Sequence, residues 1–532
     1  MRPKTVLIGL DGATFDVLDP LMASGVMPFL KDLVARGVRA QLRSVMPPLT
    51  PPAWCSLITG KRPGRHGVFD FFQREEADRP YLKLTTSNDI RADTVWSLAS
   101  AAGRKVLALN YPVTFPAPAI NGCVVPGGWM PWKQFRLGCY PAGLFDELKT
   151  LPSFDPREMA IDVALEEKAV EGCDPAEYLD WVALHRRREQ RWCEVARFLM
   201  DREQPDLVTI VFDGVDKLQH LCWRFIDREC RSAAPEPWEL DVQAACDSYF
   251  RQLDGIVAEL VDLAGADATV ILASDHGFGP AQKVFYLNGW LEQHGYLAWK
   301  NGAHGERGDG VGFSQIAQHL QQLDWDRTRA YAATPSGQGI TLVRPGNGAA
   351  PGPRAYQELR DRICDELRSA RDPTTGEPIV AEVWTREEAF SGPYGDLAPD
   401  ISIIPARGAV VSILPSDALV KERPAILGSH RWEGVFMAAG PALRSRADLG
   451  ELSIVDVAPL LLYSLGLPIP GDLDGRLSAD AFKDGELRER APQFASMAAP
   501  AEQPEPVAEH LSLDPESEAI IVERLKALGY VE

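Results

Sequence analysis

Three apolar runs in this chain each end in an aspartate: VLIGL before Asp11, TIVF before Asp213 and VILAS before Asp275. Carboxylates that converge repel one another unless a cation lies among them. Histidines accompany these three. Asp216 and His220 stand four apart in DGVDKLQH, a spacing that puts both on one face of a helix. Asp213, seven residues before His220, can share that face and is the rival carboxylate. Asp275 and His276 are adjacent in ASDHGFG, where the glycines permit a tight turn. His430 sits in LGSHRWEG, just ahead of a buried run. Aspartate and histidine are ligands that zinc favours. Taken singly, each strand-end aspartate is also explained as a cap on the next helix. The histidines beside them favour the metal reading for the set.

The segment SVMPPLTPPAWCSLITGKRPGRHG contributes a hydroxyl. Pro51 suits the first position of a helix that stops at Gly60, so Thr50 is expected at or beside its N-cap. A helix N-terminus offers N–H groups and the positive end of a dipole, which suits an anion. A threonine hydroxyl is a poor nucleophile until a cation favours its alkoxide. The simpler alternative is that Thr50 only caps the helix. His66 reads as a structural turn residue after that helix.

The elements that must position these groups alternate along the chain. Apolar, β-branched runs lie at 5–10, 105–110, 206–212, 268–274, 400–404 and 434–440. Helical patterns lie around 20–36, 176–203 and 241–264. Such alternation predicts an α/β fold with a mainly parallel (mixed) central sheet and helices on both faces. The C-terminal strand ends of such a sheet share one edge, where ligands bind. Two stretches, 117–175 and 296–395, break the rhythm and read as insertions that form a cap or substrate region. The core is then 1–116, 176–295 and 396–490. Residues 491–513 read as a Pro/Ala/Glu linker and 514–532 as a C-terminal helix. Its apolar face (Ile520, Ile521, Leu525, Leu528) must dock on this chain or on a partner, such as a second copy.

Composition removes several classes. With 532 residues, 45% hydrophobic and 24% charged, the chain can bury a large core. A net charge of −20 disfavours a dedicated nucleic-acid binder. It does not exclude an anionic small substrate, because a metal ion reverses the local field. No run of about 20 apolar residues predicts a membrane span. The N-terminal apolar run is too short for a signal peptide, so the expected location is the cytoplasm. Nine cysteines without a CxxC pair suggest reduced thiols.

The motifs taken in order resemble the alkaline phosphatase superfamily, and within it the type I phosphodiesterase/nucleotide pyrophosphatase branch. The bacterial and archaeal proteins described as predicted phosphohydrolases/phosphomutases are the nearest likeness. The matching positions are Asp11; Thr50-x-Pro52 with Ser56, Thr59-Gly60, Pro63 and His66-Gly67; Asp216-x-x-x-His220; Asp275-His276-Gly277; and Gly428-x-His430 with Gly440-Pro441. DVAPLLLYSLGLPIPGDLDGR (456–476) resembles the family's closing helix and loop. The resemblance implies two metal sites. Asp11, Thr50, Asp275 and His276 would hold one ion, and Asp216, His220 and His430 the other. Asp213 then supports from behind. The expected ions are two divalent cations, zinc first and manganese second.

One departure matters. Many members carry an asparagine three residues after the nucleophile, where it helps hold a phosphoryl oxygen; here that position is Ala53. The Cys-x-Pro-x-Arg signature of sulfatases is absent. The expected activity is hydrolysis of a phosphodiester or phosphoanhydride in a small phosphorylated substrate, by in-line attack of Thr50 through a phosphothreonine intermediate. Phosphomonoesterase or phosphomutase action on the same site is the first alternative, and a metal-binding, non-hydrolytic scaffold the second.

Overall fold

The computed structural model describes residues 5–74, 82–127, 134–160, 173–300, 320–334, 336–343 and 353–495. Its centre is an eight-stranded sheet. From one edge to the other the strands are Ala447–Ser453, Val38–Arg43, Glu433–Ala439, Thr269–Ala273, Thr5–Leu10, Leu207–Phe212, Val106–Tyr111 and Gly122–Pro126. Glu433–Ala439 runs antiparallel to both its neighbours; the other pairings are parallel. The sheet is thus mainly parallel and mixed, as its apolar runs predict.

The first strand explains why both faces must be covered. Successive side chains of a strand point to opposite faces. Val6, Ile8 and Leu10 enter one core, whose helices include Pro28–Arg36, Pro175–Glu203 and Pro237–Ala264. Leu7 enters the other, built with Thr50–Thr59, Val95–Ala101 and Val457–Ser464. Burial on both faces leaves no polar position in the strand, hence the unbroken TVLIGL run.

Local signals set the helix ends. Pro175–Glu203 begins at a capping box of Asp174 and Glu177. Pro237–Ala264 begins four residues before the expected start, at a box of Glu236 and Glu239. The single helix expected around 20–36 is two, Phe15–Ala23 and Pro28–Arg36. Gly25, at φ +78°, turns the chain between them.

The two stretches that break the rhythm contribute strands to the sheets. Gly122–Pro126, inside the first, is an edge strand of the main sheet. The strand expected at 400–404 runs Ile401–Pro405 and leaves the main sheet. It joins a four-stranded sheet with Ala330–Tyr331, Gly339–Leu342 and Val380–Thr385. Phe494–Ala495, within the expected linker, pairs with Ile469–Pro470. The expected C-terminal helix lies outside the described residues.

Candidate metal and phosphoryl-transfer site

Register delivers the acidic groups to one edge. Leu10 pairs with Phe212 and Gly9 with Ala273, so these three parallel strands end together. Asp11 follows the first strand, and its N–H donates to Phe212 O at 3.1 Å. Gly12 then takes φ +67°, a conformation open chiefly to glycine. A Cβ there would also fall 2.8 Å from the Phe278 ring and 3.3 Å from Asp216 Oδ1. The Gln219 amide donates to Gly12 O at 2.8 Å and fixes the turn.

Asp216 and His220 lie on the helix Gly214–Ile226. His220 Nε2 is 3.5 Å from Asp216 Oδ1, as the four-residue spacing predicts. Asp213 is this helix's N-cap residue, with Asn110 Nδ2 at 3.4 Å from its Oδ1. It belongs to neither convergent group of metal-type ligands among the described residues.

A second, smaller sheet brings in His430. Val420–Arg431 pairs antiparallel with Gly277–Tyr286, and His430 stands opposite Phe278. The His276 and His430 rings therefore stack, with centroids 3.7 Å apart. Their tautomers follow from their partners. His276 Nδ1 lies 3.2 Å from Gly277 O, and His430 Nδ1 lies 3.0 Å from Pro48 O. A carbonyl only accepts, so in each ring Nδ1–H donates and Nε2 keeps its lone pair. This is the usual arrangement behind a metal-ligating histidine.

The free lone pairs converge. His276 Nε2 is 3.2 Å from Asp275 Oδ2, 3.7 Å from Asp11 Oδ1 and 3.4 Å from Thr50 Oγ1. His430 Nε2 is 3.3 Å from Asp216 Oδ1 and 3.2 Å from His220 Nε2. Asp11 Oδ1 and Asp275 Oδ2 are buried and accept no hydrogen bond. Such oxygens are costly unless a cation or proton satisfies them. Asp11, Asp275 and His276 form one group with ligand atoms within 4.8 Å of one another, and Asp216, His276 and His430 a second. The donor set and the orphaned oxygens fit divalent ions.

Electrostatics point the same way. Burial raises the Asp11 carboxyl well above its ordinary range, and Asp275 and Asp216 raise it further. Burial likewise raises Asp275 to about 8. Asp216 is held well below the usual range: burial opposes this, but the neighbouring His220 and Lys217 outweigh it. Burial lowers His430 to about 4, and burial followed by the His430 charge holds His276 well below its ordinary value. His276 and His430 are thus neutral at neutral pH, ready to act as ligands.

Thr50 is fully buried and is the first residue of the helix Thr50–Thr59. It lies beside the N-cap, Leu49, as expected, but Pro51 takes the second helical position and not the first, and no side chain caps the helix. The expected row of free amides is also missing. Pro51 and Pro52 have no N–H, and Ala53 N donates to Leu49 O at 3.0 Å. The Thr50 hydroxyl faces His276 instead of capping. His66 fits its structural reading. Its Nδ1 accepts from Val68 N at 3.2 Å, so Nε2–H donates to Ser56 Oγ at 2.8 Å. Ser56 in turn donates to Pro52 O at 2.8 Å.

Two neighbours of the site escaped the motifs. Trp54 Nε1 donates to Asp11 Oδ2 at 3.3 Å, and Lys217 Nζ lies 3.5 Å from Asp216 Oδ2. Trp54 stands four residues after Thr50, so helical spacing already put it on the same face. Nothing in the sequence distinguishes Lys217 from a solvated lysine.

A mixed α/β sheet with aspartates and histidines gathered beside a buried threonine at its C-terminal edge defines a metallohydrolase of the alkaline phosphatase superfamily. The family model for type I phosphodiesterase/nucleotide pyrophosphatase matches residues 5–432, and the chain belongs to that family, whose members hydrolyse phosphoric ester bonds. Human ectonucleotide pyrophosphatase/phosphodiesterase 5 is a structural neighbour at TM-score 0.51 and 14% identity, covering 92% of this chain and 99% of its own. The inactive murine counterpart, solved in complex with AMP, gives TM-score 0.51 and 14% identity, with 92% and 100% covered. No helix among the described residues is long and apolar enough to cross a membrane.

Proposed function

We propose that the chain cleaves a phosphodiester or phosphoanhydride through a phosphothreonine intermediate on Thr50, at a site for two divalent ions. The observation that carries this reading is the position of Thr50 Oγ1, 3.4 Å from His276 Nε2, the same nitrogen that faces two carboxylate oxygens without donors. Asp11, Thr50, Asp275 and His276 would hold one ion; Asp216, His220 and His430 would hold the other. Bound there, zinc or manganese would supply Lewis-acid stabilisation of the phosphoryl oxygens and favour ionisation of Thr50.

The chain's own residues do the rest. Thr50 loses its hydroxyl proton and attacks phosphorus in line, opposite the leaving oxygen. Burial excludes water from the nucleophile before substrate arrives. His220 and His430 retain 12% and 7% side-chain exposure, against none for His276, so substrate and the releasing water approach from their side. Water then cleaves the phosphothreonine bond and restores the hydroxyl. The murine neighbour's AMP complex supports a small phosphorylated ligand.

The test is a panel of bis-p-nitrophenyl phosphate and p-nitrophenyl phosphate with zinc or manganese added. Faster diester turnover, with a p-nitrophenyl phosphoryl group acid-trapped on Thr50, is expected. Turnover without label on Thr50 would refute the covalent step, and faster monoester turnover would refute the substrate class.

A further inference from the structure

The three buried aspartates of the site share an arrangement that their family motifs do not contain. Each has one oxygen held by a protein donor and the other turned toward the histidines. For Asp275 the donor is a backbone amide: Gly12 N donates to Oδ1 at 3.1 Å. Its Oδ2 has no donor and lies 3.2 Å from His276 Nε2. For Asp11 the donor is an indole: Trp54 Nε1 to Oδ2 at 3.3 Å, with Oδ1 left without a donor. For Asp216 the donor is an ammonium: Lys217 Nζ at 3.5 Å from Oδ2, with Oδ1 facing His430 and His220. We propose that Trp54 and Lys217 are positioning residues, which turn Asp11 and Asp216 so that one oxygen of each faces the histidines, where a divalent ion would bind.

Both side chains are built into the core. Trp54 is fully buried. Its ring packs against Gly9, where a Cβ would collide with the indole and stand 2.8 Å from Val211 Cγ2. Tyr111 meets the ring edge-on at 5.2 Å and donates its hydroxyl to Trp54 O at 3.1 Å. The glycine inside an otherwise bulky strand is thus explained by the indole, and the indole by Asp11. One helix face then delivers both the Thr50 hydroxyl and the donor that orients Asp11. Lys217 is also fully buried, an unusual place for a lysine unless a charge partner holds it. Its carbonyl accepts from Trp181 Nε1 at 3.2 Å, which anchors that turn of the helix. Apolar packing alone would be served as well by Phe at 54 and Met at 217. A donor aimed at the far oxygen of a ligand carboxylate would not.

This inference rests on the two-ion reading above. It predicts site-selective effects on metal affinity, which packing does not. Zinc is titrated against a chromogenic chelator in two backgrounds, each leaving one intact ligand set: His430→Ala for the Asp11 set and Asp275→Asn for the Asp216 set. In the first background Trp54→Phe should weaken zinc binding about 10–100-fold, the range for loss of a partner behind a ligand. Lys217→Met should change it less than about 3-fold there. In the second background the two effects should exchange. Lys217→Arg, which keeps a cationic donor, should restore affinity. Replacing Trp54 by its benzothiophene analogue keeps the shape, deletes the N–H, and should weaken binding as Phe does even if Phe disturbs folding. Unchanged affinity in the analogue or in Lys217→Met would overturn the assignment for that residue. Equal losses at both sites would show a general structural role and overturn it for both. Wild-type protein that takes up no zinc would defeat the two-ion reading itself.

Discussion

Without its ions this protein should lose stability as pH rises, in a window where most proteins do not. Burial lifts Asp275 to about 8 in the ion-free chain, and lifts the neighbouring Asp11 well above its ordinary range. In the unfolded chain an aspartate titrates near ~3.9. Between those values the folded, ion-free protein holds a proton on the pair that the unfolded chain has released. That proton's stabilisation is complete below ~3.9 and is lost as pH rises through about 8. Each pH step of one within the window costs up to about 1.4 kcal/mol. From pH 6.5 to 8 the loss is therefore about 2 kcal/mol for the pair. His430 and His276 do not interfere: His430 is lowered to about 4 and His276 well below its usual value, so their own losses appear as pH falls below ~6.5. Glu189, raised to about 8 mainly by burial, titrates the same way with or without ions and cancels in the difference. The assay is urea unfolding at pH 6.5 and 8, in chelator and at fixed free zinc. The stability gap between loaded and chelated protein should widen by about 2 kcal/mol over that range. A gap that stays constant would refute the reasoning, because two ionised carboxylates would then coexist in the core without a counter-ion.

Other expectations follow from single residues. Thr50→Ala should abolish turnover with little loss of thermal stability, because Leu49 and not Thr50 is the N-cap residue; Thr50→Ser should retain measurable turnover. His430→Ala should lower activity by orders of magnitude and leave about one zinc per chain by elemental analysis; two retained ions would show that His430 is not a ligand. His66→Ala removes the donor to Ser56 in a fully buried site and should cost about 1–3 kcal/mol in urea unfolding. Turnover by His66→Ala at permissive temperature should stay within an order of magnitude of wild type, and a collapse like that of His430→Ala would place His66 in the chemistry.

The sequence reveals most where one physical pattern dominates. Strands buried on both faces read as unbroken apolar runs, so TVLIGL and LVTIVF announce themselves. Their shared register, and with it the meeting of Asp11 and Asp275, follows from parallel pairing. The four-residue spacing of Asp216 and His220 survives because the helix is regular there. Thr50 was harder to place. Two successive prolines fit the first turn equally well, and a shift of one residue moves the threonine from the cap into the helix. Ile401–Pro405 is misleading for another reason: its apolar run suits a central strand, yet its partners are the antiparallel strands Gly339–Leu342 and Val380–Thr385. Period and composition do not say which sheet a strand joins. Trp54 and Lys217 show the same limit at the site. An indole among core aromatics and a lysine on a helix carry no mark of function until the carboxylates they face are located in space.

That location also bears on substrate choice. The chain as a whole is acidic, with a net charge of −20, so an anionic substrate needs a local reversal of sign. Once bound ions have displaced the protons, three ionised aspartates contribute −3, and the Lys217 ammonium against Asp216 brings the sum to −2. One divalent ion would only neutralise that charge. In the two-ion reading the site carries +2 while Thr50 keeps its proton and +1 once Thr50 ionises. A phosphodiester brings a single negative charge, whereas a phosphomonoester brings close to two at neutral pH. The ionised nucleophile therefore meets a diester at overall neutrality, while a monoester leaves a buried negative excess next to it. With Pro51 and Pro52 removing helix amides and Ala53 supplying no side-chain donor, the chain itself offers little to offset that excess. In that reading the charge balance favours a diester over a monoester on grounds separate from the family, and the same balance predicts that Lys217→Met, which removes a positive charge, should widen that preference.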